Sequence, residues 1–159
     1  MTLTHARLAQ RNIAVALVNG HFIGSIYGRP TPEIAATLES FVRSSVSSTA
    51  RFGYYLRIGE GASPPDDATR ERLRELGTKL SSRIVAVSTI IEIPGFLGAA
   101  VRGVVTGMSL FLGRTVKIRA SSNVHDAVAA VDSTIRDAGL EPLDAATLEA
   151  ALADLRAMG

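Results

Sequence analysis

The sequence predicts an α/β fold. It should form one domain on a mixed sheet of about five strands, an N-terminal hairpin followed by strand–helix repeats, with an extra C-terminal helix. Three observations carry this. Two apolar runs, NIAVALVN and HFIGSIYG, meet at Asn19-Gly20, a dipeptide that tolerates the positive φ angles of a two-residue hairpin turn. Beyond them, β-branched and aromatic runs alternate with segments of helical periodicity. That is the pattern of a mainly parallel sheet covered by helices. No repeat, low-complexity stretch or linker divides the 159 residues, a length that suits a single core.

Taken in order, residues 13–18 are apolar but too short for the hydrophobic region of a signal peptide, and no small-x-small site follows. They therefore read as a strand. Arg29-Pro30-Thr31-Pro32 closes the second strand, and Thr31 is expected to cap the next helix with Pro32 in its first turn. Ile34, Leu38, Phe41, Val42 and Val46 form one face of that helix. FGYYLRI (52–58) is a third strand. A loop, GEGASPPDD, leads to a helix capped by Asp66 or Asp67, with Leu73, Leu76 and Leu80 as its apolar stripe. IVAVSTIIEI (84–93) is nearly continuous in apolar residues, as a strand covered on both faces should be. TVKIRA (115–120) is the fifth strand. Asn123 caps a helix carrying Val124, Ala127, Val128, Val131 and Ile135, and Gly139 ends it. A last helix, capped near Asp144, buries Leu148, Leu152 and Leu155. Gly139-Leu140-Glu141-Pro142 is the one weak boundary, so residues 1–140 form the domain and 141–159 a helical extension packed on or flanking it.

The segment GFLGAAVRGVVTGMSLFLG (95–113) is open to several readings. Its apolar length suits a membrane span, but Pro94-Gly95 breaks the longer run and Arg102 would lie within the bilayer. It follows a strand as phosphate loops do, yet neither GxGxxG nor GxxxxGK[ST] is present. Ala99, Gly103 and Gly107 make a small-residue stripe that lets another backbone approach closely. The partner of that stripe is the chain's own sheet or a second copy.

Composition excludes several chemistries. With no cysteine there are no disulfides, thiolate nucleophiles or cysteine-held metals. His5, His21 and His125 have no metal-ligand spacing, and no GxSxG nucleophile elbow occurs. No motif calls for a cofactor or for catalysis. Residues 1–120 hold 15 basic and 8 acidic side chains, a net of +7, while 121–159 hold 2 and 7, a net of −5. Such a gradient can steer a partner. Arg70, Arg72 and Arg74 alternate with Glu71 and Glu75, a solvated helix face rather than a nucleic-acid surface. Arginine outnumbers lysine fifteen to two, a usage that suggests a GC-rich bacterial genome. Glu60 and Glu92 stand near strand ends, where α/β proteins often place functional residues.

The segment PGFLGAAVRGVVTGMSLFLGRTVKIRASSNVHDAVAAV, together with the hairpin and the helix–strand repeats, resembles the STAS-like domains of anti-sigma-factor antagonists of the uncharacterised bacterial kind. The resemblance covers residues 12–138 as a pattern and is sharpest from 94 to 131. It implies a cytoplasmic, non-enzymatic regulatory module that docks a protein partner or itself. The corresponding docking loop is 59–67, with Glu60, Ser63 and Asp66 as candidate binding residues. Ser63 is its only hydroxyl, with no acid before it and no glycine after it, so the phosphorylation motif of those antagonists is not carried over. The fold class also resembles the CRAL-TRIO lipid-transfer fold. That resemblance supports the alternative of a carrier or sensor for a small apolar ligand, held between the sheet and the helix bearing Gly103 and Gly107.

Overall fold

The computed structural model describes residues 7–10, 12–112 and 116–158. Six strands form one sheet in sequential spatial order: β1 (Arg7–Gln10), β2 (Ile13–Val18), β3 (His21–Ile26), β4 (Phe52–Ile58), β5 (Ile84–Ile91) and β6 (Lys117–Ser121). β1, β2 and β3 are antiparallel; β3 to β6 run parallel. Five helices connect or follow them: α1 (Glu33–Ser45), α2 (Asp67–Leu80), α3 (Gly95–Leu112), α4 (Val124–Asp137) and α5 (Ala145–Ala157). The expected mixed α/β sheet with a C-terminal helix is present, with one strand more than the hairpin and repeats implied.

Local chemistry sets most boundaries. Asn19 and Gly20 take φ angles of 48° and 82° and close the β2–β3 hairpin. Asp66, Asn123 and Asp144 each accept a backbone N–H three residues on, from Thr69, Asp126 and Thr147. Gly139, at φ 78°, ends α4. The expected Thr31 cap is a correction: α1 has no side-chain cap, and the Thr31 carbonyl accepts the Ile34 N–H instead. The proline at 32 already fills the first turn without needing a donor satisfied.

The two faces of the sheet differ in side-chain size, and this sets how closely helices approach. One face presents Ala14, Ala16, Ser25, Ala86 and Ser88 to α4 and α5. These small residues let the helices settle tightly, and the Ser88 hydroxyl donates to the Ala127 carbonyl at 2.7 Å. The other face carries Phe22, Phe52, Tyr54 and Leu56 beneath α1, α2 and α3. Phe22 packs edge-on against Phe52 and Phe41, with ring centres 4.8 and 5.8 Å apart. Here α1 and α2 lie closer to each other than to the strands.

α5 packs on β2 and β3 and buries Leu148, Ala151, Leu152 and Leu155. His21 fastens the segment leading into it. Its Nδ1 accepts the Gly53 N–H at 2.9 Å, so the proton sits on Nε2, which donates to the Glu141 carbonyl at 2.7 Å. The ring is 1% exposed and meets Tyr55 edge-on. Burial lowers its pKa below the ordinary 6.5, with the Glu141 hydrogen bond opposing. The Gly53 bond needs the neutral imidazole, and a folded-state pKa below the unfolded one means that folding releases the proton. The stabilisation is therefore complete above 6.5 and is lost as pH falls through the lower folded value. Chemical denaturation should show stability dropping from about pH 7.5 to about pH 5.5, with most of that slope absent in His21→Gln. An equal slope in the variant would remove His21 as its source.

Candidate functional site: an apolar chamber beneath α1–α3

Because the bulky face holds α1 and α2 away from the strands, a chamber of about 240 Å³ lies between them. Well-packed interiors rarely hold voids much larger than a water molecule. Its floor includes Phe22 and Ile26 of β3, Tyr54 and Leu56 of β4, and Val87 and Thr89 of β5. Leu38 and Phe41 of α1, Leu73 and Leu76 of α2, and Val101 and Val105 of α3 form its walls. Gly77, on the α2 wall, offers no side chain to fill it. Among the described residues no charged side chain lines the chamber. A concave space with such a lining takes apolar guests.

The loop between β4 and α2 closes one end through Ala62, Ser63, Pro64 and Pro65. It is held by backbone: the Ser63 N–H donates to the Gly28 carbonyl at 3.3 Å, and the Ala62 N–H to Gly59 at 3.1 Å. The Arg29 guanidinium donates to the Ser63 hydroxyl at 3.5 Å. The candidate loop residues thus have separate placements. Ser63 is half-buried in the chamber wall and Glu60 is exposed. Asp66 is exposed and occupied as the α2 cap, where side-chain and backbone hydrogen bonds from Thr69 hold its carboxyl below the usual range.

Among the described residues, Ala99 and Gly103 of the small-residue stripe do not close-pack within the chain. Ala99 and Gly103 are exposed, and a Cβ on Gly103 would meet no atom within 4 Å. Of the two partners expected for the stripe, the sheet is not met by Ala99 or Gly103: α3 turns Gly98, Val101 and Val105 inward instead. Gly98 sits so near the Ile93 carbonyl that any side chain there would collide with it. The surroundings of Gly107 lie outside the described residues, as does His5.

On the opposite face, Glu92 lies 3.7 Å from the buried Arg57 Nε and 4.0 Å from Arg156. This ties β4, the end of β5 and the last turn of α5 together, apart from the chamber. Burial lowers the Arg57 pKa and the Glu92 charge opposes that. Among the described residues no three metal-ligating side chains cluster, and no helix is long and apolar enough to cross a membrane.

Sequence reasoning did not single out Tyr54, Thr89 or Gly24. Tyr54 and Tyr55 are adjacent and so face opposite ways: Tyr54 lines the chamber, while Tyr55 lies under the α4–α5 layer, where burial pushes its hydroxyl up to about 12. The readable signal was Gly24 within the strand HFIGSI, since a lone strand glycine often marks a close approach. No family model, curated protein or solved structure matches the chain.

Proposed function

We propose that this protein is a non-enzymatic carrier or sensor that binds a small apolar ligand in the chamber between the sheet and α1–α3. One observation carries the reading. The chamber, about 240 Å³ in volume, has among the described residues a lining with no charged side chain and only a few hydroxyls. Filling such a space releases apolar surface from water on both partners. The test uses the neutral fluorophore N-phenyl-1-naphthylamine and the variant Leu73→Trp, which adds bulk at the α2 wall. The protein is expected to bind the fluorophore saturably, and L73W to weaken it at least tenfold while melting cooperatively. Failure of the wild-type protein to bind any apolar probe would overturn the reading.

A second reading keeps the STAS-like resemblance: a module that docks a protein partner or another copy. The exposure of Ala99 and Gly103, with open space above Gly103, favours it, because small residues allow two helices to approach. Sedimentation that gives a monomer at all concentrations would remove self-association by this route.

A further inference from the structure

We propose that the ligand is an uncharged, mostly hydrocarbon molecule carrying one hydrogen-bonding oxygen, and that the Tyr54 hydroxyl is the group that recognises this oxygen. The inference rests on the chamber being a ligand site and adds what selects its occupant.

The first support is the lining. Among the described residues it contains no Asp, Glu, Lys, Arg or His. A carboxylate, phosphate or ammonium lodged there would lose its hydration without gaining a counter-charge. A charged group lodged within the chamber is therefore disfavoured by the lining itself.

The second support is the placement of Tyr54. In the sheet it pairs with Phe22 on one side and Val87 on the other. Its side chain reaches along the strands to the next row, where Gly24, Leu56 and Thr89 are in register. A Cβ on Gly24 would stand 2.6 Å from the Tyr54 hydroxyl oxygen and 3.3 Å from the ring carbon bearing it. Glycine at position 24 is thus what allows the phenol to lie there. The hydroxyl is brought to the level of Thr89, the other hydroxyl on the chamber floor.

The third support is that this hydroxyl has no hydrogen-bond partner among the described residues. Burial raises the Tyr54 pKa and neither a hydrogen bond nor a nearby charge opposes it. The side chain is half-buried and lines the chamber, and a tyrosine hydroxyl against an apolar surface ordinarily finds a partner. Here the partner's place is the chamber. The phenol stays protonated and can donate to a ligand hydroxyl or carbonyl, or accept from a hydroxyl.

The test is a matched series of bicyclic probes: naphthalene, 2-naphthol and 2-naphthoate, each displacing the bound fluorophore. For the wild-type protein, 2-naphthol is expected to bind roughly five- to tenfold tighter than naphthalene, the effect of one net hydrogen bond. 2-Naphthoate should bind weakest. In Tyr54→Phe the advantage of 2-naphthol over naphthalene should vanish, with cooperative thermal melting showing that the variant is folded. Gly24→Ala, which keeps the phenol but displaces it, should reduce the same advantage. If naphthalene binds and 2-naphthol gains nothing, or if Y54F keeps the full advantage, the role of Tyr54 is overturned and the chamber reading stands. If 2-naphthoate binds best, the uncharged class is overturned. If no probe binds, the chamber reading itself has failed.

Discussion

Removing residues 141–159 should abolish cooperative folding. Leu143, Leu148, Leu152 and Leu155 are each no more than 3% exposed. Full burial of such a side chain contributes about 1.5–3 kcal/mol. Truncation also uncovers Ala16, Val18 and Ile23, which share a core with them, and deprives the His21 Nε2–H of the Glu141 carbonyl. The combined loss is comparable with the whole stability of an ordinary domain, about 5–15 kcal/mol. Circular dichroism of the 1–140 chain should show no sharp thermal transition, where the full chain has one. The single substitution Leu152→Ala should lower stability by about 2–5 kcal/mol. A truncated chain that melts as sharply as the full one would mean that α5 is an appendage rather than one layer of the core.

Gly98→Ala and Gly103→Ala should move stability in opposite directions although both lie in α3. A methyl at 98 collides with the Ile93 carbonyl, which is backbone in the link between β5 and α3 and cannot swing aside as a side chain can. The expected loss is about 3 kcal/mol, at the upper end of ordinary overpacking. At 103 the methyl enters open space on an exposed helix, and replacing glycine there gains up to about 1 kcal/mol of helix propensity. Denaturant midpoints of the two variants check this. A loss at 103 as large as that at 98 would show that something covers the outer face of α3 in solution.

That contrast also shows where sequence reasoning reached its limit. The stripe Ala99, Gly103, Gly107 has helical spacing, and so does the set Gly98, Val101, Val105. Spacing identifies the helix in both cases but does not say which way it is turned. Burial does: Val101 and Val105 pack with Ile91 and Ile93, and Gly98 lies on the same side. The hairpin and the caps at Asp66, Asn123 and Asp144 were legible because a residue and its near neighbours decide them. The edge strand β1 was not. Its sequence, RLAQ, has no run of strand-favouring residues, and it owes its form to backbone pairing with β2. The chamber was anticipated only as an alternative, between the sheet and α3. Its extent beneath α1 and α2 depends on the large side chains of one sheet face, and so on knowing which residues share that face. Tyr54 illustrates the point. Nothing local in FGYYLRI says which of the two tyrosines lies under the tightly packed helices and which is left facing empty volume.

The unequal spacing of the two helical layers has a further consequence for how a guest could enter. On the α4–α5 side, helix and strand backbones are joined by close packing and by the Ser88 and His21 hydrogen bonds. That half can act as a stiff plate. On the other side, the α1 and α2 backbones lie closer to each other than to the strands, which they meet through side chains such as Ile34 and Val42. They can lift as a pair by a local opening, at a fraction of the free energy of global unfolding. Admission and release would then be timed by the hinges of this pair, the proline-bearing segments 28–32 and 62–66, while the rest of the molecule keeps its shape.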